Sequence, residues 1–210
     1  MKKLCFVFAA LMTVATLLLV SCASADIDRL SERRSGYFAA SDGTYTVTAV
    51  SGVREQPYAS DGKAGAMKHY TLITVAPVDF DMDAVYTYIA AFGGAEYGGT
   101  LTVHPFAASF SAEIDAEATD GLSVTVTCGE KSATFELKSL VTPDMISCDR
   151  AIDAAKTALA PSGEYEMRAR LIRDPLGGDG LCWHVSVITA ESESSVLLDP
   201  VTAKVLAKKA

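Results

Sequence analysis

Residues 44–50 (TYTVTAV) and 70–76 (YTLITVA) decide the fold of this chain, because they are runs of β-branched and aromatic residues without a helical period. Five further runs of this kind follow before residue 140: 85–92 (VYTYIAAF), 97–103 (YGGTLTV), 109–114 (SFSAEI), 122–128 (LSVTVTC) and 133–137 (ATFEL). Asp-Gly and Gly-Gly pairs between the runs supply the positive-φ positions of tight turns. The sequence therefore predicts a mainly β fold.

The seven predicted strands fall within residues 37–141 and resemble, in number and spacing, an immunoglobulin-like antiparallel β-sandwich. The antibody-type Cys–Trp–Cys pattern is missing, since this region has no Trp and only Cys128. The resemblance is therefore to the architecture alone. The stretch 51–68, with Pro57 and three glycines, is predicted to be an irregular loop.

The hydrophobic period changes in residues 142–210. Ser147 is suited to cap a helix that ends before Pro161, because apolar residues then recur every three or four positions. Apolar and polar residues alternate afterwards at 165–171 and 182–187. The segment predicts an α+β unit: a helix followed by a three-stranded antiparallel sheet, ending in a turn at 199–202 that leads into 204–206.

This order, with the helix motif Ala151-Ile152-x-x-Ala155, the strand motif Trp183-x-Val185 and a closing Asp-Pro-x-Thr-x-x-Val-Leu at 199–206, resembles the PepSY domain of exported bacterial proteins. That family usually has Gly where this chain has Ala203. The resemblance implies a module that binds or restrains an envelope peptidase or another partner outside the membrane. An unrelated α+β unit is the alternative.

The first 21 residues have the pattern of an export signal, with a basic start followed by an uncharged run at 4–20. The junction Leu19-Val20-Ser21-Cys22 resembles the lipobox of bacterial lipoproteins. The resemblance implies a signal peptide at 1–21 and lipid attachment at Cys22, which would hold the protein on the extracytoplasmic side of the bacterial cell membrane. An uncleaved membrane anchor is the alternative.

Residues 22–36 are predicted to be a tether between the lipid and the first domain. Loss of Lys2 and Lys3 with the signal changes the formal charge of the chain from −8 to −10. An acidic chain repels nucleic acid and anionic headgroups, so nucleic acid is excluded as a partner and lipid is expected to provide the membrane anchor.

Motifs for catalysis, for a metal or for a cofactor are missing. The Ser-x-x-Lys at 60–63 resembles that of penicillin-recognising enzymes, but its Asp-Gly predicts a turn in place of the helix start that this motif needs. The three carboxylates at 79–83 begin like a calcium loop, but Ala84 and Ala90 stand where Gly and Glu are required. The sequence therefore predicts no enzyme, no metal and no cofactor.

Three cysteines remain after Cys22, namely Cys128, Cys148 and Cys182, so at least one thiol is unpaired. Their spacings contain no Cys-x-x-Cys, which argues against a zinc site or a redox pair. They are predicted to be small apolar side chains of the core.

Three functions stay open. The first, which we predict, is a non-enzymatic binding module whose sheet edges, or whose outer face bearing Arg168, Arg170 and His184, meet a partner. The second is a structural or adhesive envelope lipoprotein whose active surface is the β-sandwich with its 51–68 loop. The third is an enzyme that uses a Cys and a His brought together by the fold.

Overall fold

The computed structural model describes residues 29–59 and 64–209, and these ranges form thirteen strands and one helix. The mainly β fold is confirmed. In chain order the elements are β1 (Leu30–Ser41), β2 (Tyr45–Glu55), β3 (Met67–Pro77), β4 (Tyr86–Phe92), β5 (Ala95–Thr100), β6 (Thr102–Val103), β7 (Phe110–Ile114), β8 (Leu122–Cys128), β9 (Lys131–Ser139), α1 (Cys148–Leu159), β10 (Glu166–Arg173), β11 (Leu181–Ile188), β12 (Glu193–Leu198) and β13 (Val205–Lys209).

Three predicted features lie wholly or partly outside these ranges: the signal peptide with the lipid site at Cys22, residues 22–28 of the tether, and the Ser-x-x-Lys at 60–63. Within the described ranges, no helix has the length and the hydropathy needed to cross a bilayer.

Strand β1 connects all parts of the sheet. It pairs antiparallel with β2 along most of its length, while its first residues, 30–34, pair in parallel with β10. Phe38 and Ala39 pair with β9. Three runs of hydrogen-bonded strands therefore start from β1: one through β10, β11 and β12 to β13, one through β2, β3 and β7 to β6, and one through β9, β8 and β4 to β5.

Residues 30–36, which the sequence analysis assigns to the tether, lie in β1. The sequence analysis assigns this segment to the tether because Glu32, Arg33 and Arg34 give it the charged composition that is typical of a solvated linker. Glu32 lies between Arg54 of β2 and Arg168 of β10 in the strand register, so this part of the strand forms without an apolar pattern. Only residues 22–28 then separate the expected lipid site from Arg29, a reach of about 25 Å when fully extended.

The predicted loop at 51–68 is shorter than expected. Strands β2 and β3 pair without a break from Tyr45–Pro77 to Glu55–Met67, which leaves residues 56–66 as the connection. The polar end of β2 continues past the apolar core because it pairs with the first residues of β1, and the end of β3 pairs with β2 in turn. Gln56 and Tyr58 of this connection line a cavity together with residues of β1 and β10.

Two hydrophobic clusters fill the fold. The first lies among β1–β9 and includes the fully buried Phe110 and Leu122. The second packs α1 against β10, β11 and β12 around Trp183, whose indole Nε1–H donates to the Ile146 carbonyl at 3.3 Å.

The helix α1 begins and ends where the sequence predicts. Ser147 is its N-cap, and its Oγ accepts a hydrogen bond from the Arg150 N–H at 3.2 Å. Ala160 ends the helix in the left-handed conformation directly before Pro161.

Four antiparallel strands follow the helix, one more than the three predicted, because residues 205–209 continue beyond the last turn as β13. The turn before β13 is held by the Asp199 carboxylate, which accepts from the N–H groups of Val201 and Thr202. Ala203 has a φ of 61° in this turn, a conformation in which Gly is usual.

Candidate functional site

One face of the sheet gathers basic side chains from strands that are distant in sequence. Residues paired across neighbouring strands point to the same face, so the strand register identifies its members. One cross-strand row consists of Lys68, Arg54, Glu32, Arg168, Ser186, Ser195 and Lys209. The next row consists of Tyr70, Gly52, Arg34, Arg170, His184, Leu197 and Ala207. We refer to these two rows as the basic face.

The basic face has the opposite charge to the whole chain. Its two rows hold six Lys and Arg side chains and one carboxylate, whereas the formal charge of the chain is −8. His184 adds no charge at neutral pH, since burial and the nearby Arg170 lower its pKa. The face therefore attracts anionic groups that the rest of the chain repels.

Glu32 is the centre of the basic face. It is only 6% exposed, and its carboxylate accepts hydrogen bonds from the Tyr70 hydroxyl at 2.6 Å and from the Arg170 Nε–H at 2.7 Å. A second guanidinium nitrogen of Arg170 also donates to it. Three strands, β1, β3 and β10, are thereby joined at one carboxylate.

These contacts keep Glu32 ionised. Burial alone would raise the pKa of its carboxyl, but the hydrogen bond and charge of Arg170, the Tyr70 hydroxyl and the charge of Arg34 together hold the pKa below its usual value. Burial, and then the negative charge of Glu32, raise the pKa of Tyr70. The hydroxyl of Tyr70 is therefore a hydrogen-bond donor throughout the physiological range.

A cavity of about 280 Å³ opens beside Glu32, where β1, β2 and β10 meet the connection at 56–66. We call it the arginine crevice. Its lining consists of Ser31, Glu32, Arg54, Glu55, Gln56, Tyr58, Arg168 and Arg170.

The three arginines of the crevice differ in their partners. Arg170 is paired with Glu32, and Arg54 is paired with Glu113. Arg168 lies over the Tyr58 ring, with its guanidinium carbon 4.1 Å from the ring centroid. Within residues 29–59 and 64–209, no carboxylate forms an ion pair with Arg168. Of the three, Arg168 is therefore the one whose charge no carboxylate of the described residues neutralises.

Arg168, Arg170 and His184 share the face that the alternation of the sequence indicates. Sequence reasoning missed the contributions of Glu32 and Arg54, because they lie 138 and 114 positions from Arg170 and Arg168 and no local pattern links them. It also missed Tyr58, since residues 51–68 were assigned to one irregular loop.

The other groups considered from the sequence lie apart from the crevice. Burial raises the pKa of Cys148 to about 12 and that of Cys182 to about 11. Cys128 is half-buried and lies beside the Tyr86 hydroxyl. His69 bonds to Glu117. In the described part of the chain, no group of His, Cys, Asp or Glu side chains is suited to hold a metal ion.

No protein-family model, no curated protein and no solved structure matches this chain. The case for a function therefore rests on the residues of the basic face and the crevice.

Proposed function

We propose that this chain is an exported, lipid-anchored protein of the bacterial cell envelope, and that it acts as a non-enzymatic binding module. The observation that supports a binding role is the basic face, which concentrates six cationic side chains in an acidic chain. A partner with an acidic surface is expected to bind there, because electrostatic complementarity speeds association and disfavours other partners.

Residues 142–210 are proposed to be a PepSY-like unit that contributes Arg168, Arg170 and His184 to the recognition surface. Two features support this proposal: α1 covers one side of an antiparallel sheet, and Ala203 adopts the left-handed conformation where the family usually has Gly. An envelope peptidase restrained by this surface is the proposed partner.

Residues 37–141 are proposed to be an immunoglobulin-like sandwich, and this part also contributes to recognition. Arg54 and Tyr58 line the crevice together with Arg168. Because β1 pairs with strands of both units, isolating either unit would remove part of the sheet. Substitutions in the full chain are therefore the appropriate test of which unit holds the partner.

The lipid anchor is tested by the intact mass of the protein from its own membrane fraction. We expect a mature species that begins at Cys22 and carries a diacylglyceryl group, because the lipobox resemblance places both cleavage and modification there. A Cys22→Ala variant should lose this mass. An unmodified chain that retains Met1 would contradict the anchor and favour an uncleaved membrane segment at 4–20.

A structural or adhesive role is the second candidate, and a specific observation favours it. The β3–β4 and β6–β7 connections lie at the same end of the sheet, next to the Val75–Phe110 pair of β3 and β7. Together they expose five large apolar side chains: Val78, Phe80, Met82, Val85 and Phe106. Phe106 is 93% exposed. Exposed apolar side chains in one region are typical of a contact surface.

The two roles predict different losses. We expect Arg168→Glu to remove a crosslinked envelope partner, whereas Phe106→Ser should leave the partner bound, because the basic face and the apolar connections are separate surfaces. Crosslinking in intact cells followed by mass spectrometry measures both. Loss of the partner with Phe106→Ser, and its retention with Arg168→Glu, would instead support the adhesive role.

A further inference from the structure

We propose that the arginine crevice is a carboxylate-binding subsite, which takes an acidic side chain or chain terminus of the partner polypeptide with Arg168 as the anion-binding group. This inference rests on the proposed function, because it states which chemical group of the partner the basic face recognises.

Arg168 lies over the Tyr58 ring, with its guanidinium carbon 4.1 Å from the ring centroid. A guanidinium that stacks on an aromatic ring uses its flat face, while its five N–H donors lie in the plane at its edge. The Tyr58 ring can therefore hold Arg168 in place while the same group donates two parallel hydrogen bonds to a carboxylate. Prior positioning of the guanidinium reduces the entropy lost on binding.

The neighbouring charges favour Arg168 over the other two arginines. The carboxylate of Glu32 already satisfies Arg170, and Glu113 pairs with Arg54, which also lies 4.7 Å over the Tyr70 ring. A ligand carboxylate at Arg170 or Arg54 would have to share the guanidinium with a carboxylate of the protein. At Arg168 it would compete with no carboxylate among the described residues.

The size of the crevice fits one acidic group. A volume of about 280 Å³ is slightly below the range of about 300–1,000 Å³ that is typical of pockets for whole small molecules. It is large enough for a Glu or Asp side chain together with its own peptide unit. The rest of the partner would then lie over the exposed parts of the basic face.

A second group in the lining favours a polypeptide over phosphate. Glu55 is 6% exposed, and its Oε2 has no hydrogen-bond partner in the described part of the chain. An acceptor without a donor is costly when buried, and a peptide N–H can supply that donor after a small shift of the side chain. A phosphate carries more negative charge than a carboxylate, so Glu55 and Glu32 repel it more strongly.

The test is isothermal titration calorimetry of the full chain in neutral detergent. The probes are acetyl-Ala-Glu-Ala-amide, its matched control acetyl-Ala-Gln-Ala-amide, inorganic phosphate and glycerol 3-phosphate, the last as a lipid headgroup. We expect saturable binding of the glutamyl peptide and at least about tenfold weaker binding of the glutaminyl peptide, since a hydrogen bond to a charged group is worth about that factor or more. Both phosphates should bind more weakly than the glutamyl peptide.

Variants then locate the site. Arg168→Met should weaken binding of the glutamyl peptide by at least about tenfold. Arg173→Met should leave it unchanged; Arg173 is the matched control because it lies on the same strand, points to the opposite face and also lies over a tyrosine ring, that of Tyr37. Arg168→Lys keeps the positive charge but lacks the planar guanidinium, so we expect an affinity between those of the wild type and Arg168→Met. This variant keeps the test valid if Arg168→Met folds poorly.

Equal binding of the two peptides, or unchanged binding by Arg168→Met, would overturn the proposal. Tighter binding of either phosphate would also overturn it, and would identify the crevice as a phosphate or headgroup site. If the peptides do not bind as expected, while the protein carries its lipid and still crosslinks to its partner, only the proposed carboxylate subsite is contradicted. Absence of lipid at Cys22 would contradict the proposed lipid anchor but would not affect the proposed carboxylate subsite.

Discussion

Substitution of Glu32 by Ala is expected to lower the free energy of unfolding by about 2–3 kcal/mol, in the upper part of the usual cost of leaving buried polar groups without their acceptor, because the Arg170 side chain is 29% exposed and stays partly hydrated. Glu32 itself is 6% exposed, and its loss would leave the Arg170 guanidinium and the Tyr70 hydroxyl without their acceptor. Three strands would lose their common contact. Urea unfolding followed by circular dichroism measures the change.

The matched control for Glu32 is Glu113→Ala. Glu113 also pairs with an arginine, Arg54, but both side chains of this pair are about one-third exposed. We therefore expect Glu113→Ala to change the free energy of unfolding by at most about 1 kcal/mol. A loss for Glu32→Ala no larger than that for Glu113→Ala would show that the Glu32 contacts add little to stability.

The same carboxylate predicts a dependence on pH. Since the pKa of Glu32 is lower in the folded than in the unfolded chain, its ionisation stabilises the fold above the usual glutamate pKa. This contribution is lost as the pH falls through the folded-state pKa. The difference in stability between the wild type and Glu32→Gln should therefore shrink on acidification, and a constant difference down to pH 2 would contradict this assignment.

Substitution of Gly52 by Ala is expected to cost about 3 kcal/mol, at the upper end for overpacking in a well-packed region. A Cβ at this position would lie 2.8 Å from the Cα of Arg34 and still closer to the carbonyl oxygen of Arg33. Both atoms belong to the backbone of β1, so no side-chain rotation can make room. The pairing of β1 with β2 would have to shift where β1 also pairs with β10.

Gly180→Ala is the matched control for Gly52, because a Cβ at Gly180 would meet no atom within 4 Å. We expect it to change the stability by no more than about 0.5 kcal/mol. Similar midpoints of urea unfolding for the two variants would contradict the close approach of β1 and β2 at Gly52.

The parts of the fold that sequence analysis predicted are those fixed by local patterns. Ser147 and Pro161 bound α1, and residues 122–128 form β8 with unchanged limits. No part of β1 was predicted as a strand, and its first half pairs with residues of β10 about 137 positions away. The local signal there is a charged segment, and local charge is typical of a linker.

The basic face could not be predicted for a related reason. Composition adds all charges together, and the total of −8 conceals a cationic surface that only the register of β2, β1 and β10 assembles. Alternation in β10 did predict that Arg168 and Arg170 share a face. The Arg170–Glu32 contact joins residues 138 positions apart and has no counterpart in any short motif.

The parallel pairing of β1 with β10 also means that the protein cannot complete its fold until nearly the whole chain is present. β1 is synthesised early, whereas its neighbour β10 begins at Glu166. A chain that stopped at residue 160 would have an open strand edge at residues 30–34, and Glu32 would lack the guanidinium that neutralises it. Such fragments are expected to be degraded faster than the complete chain, because the exposed strand edge and the unpaired Glu32 destabilise them.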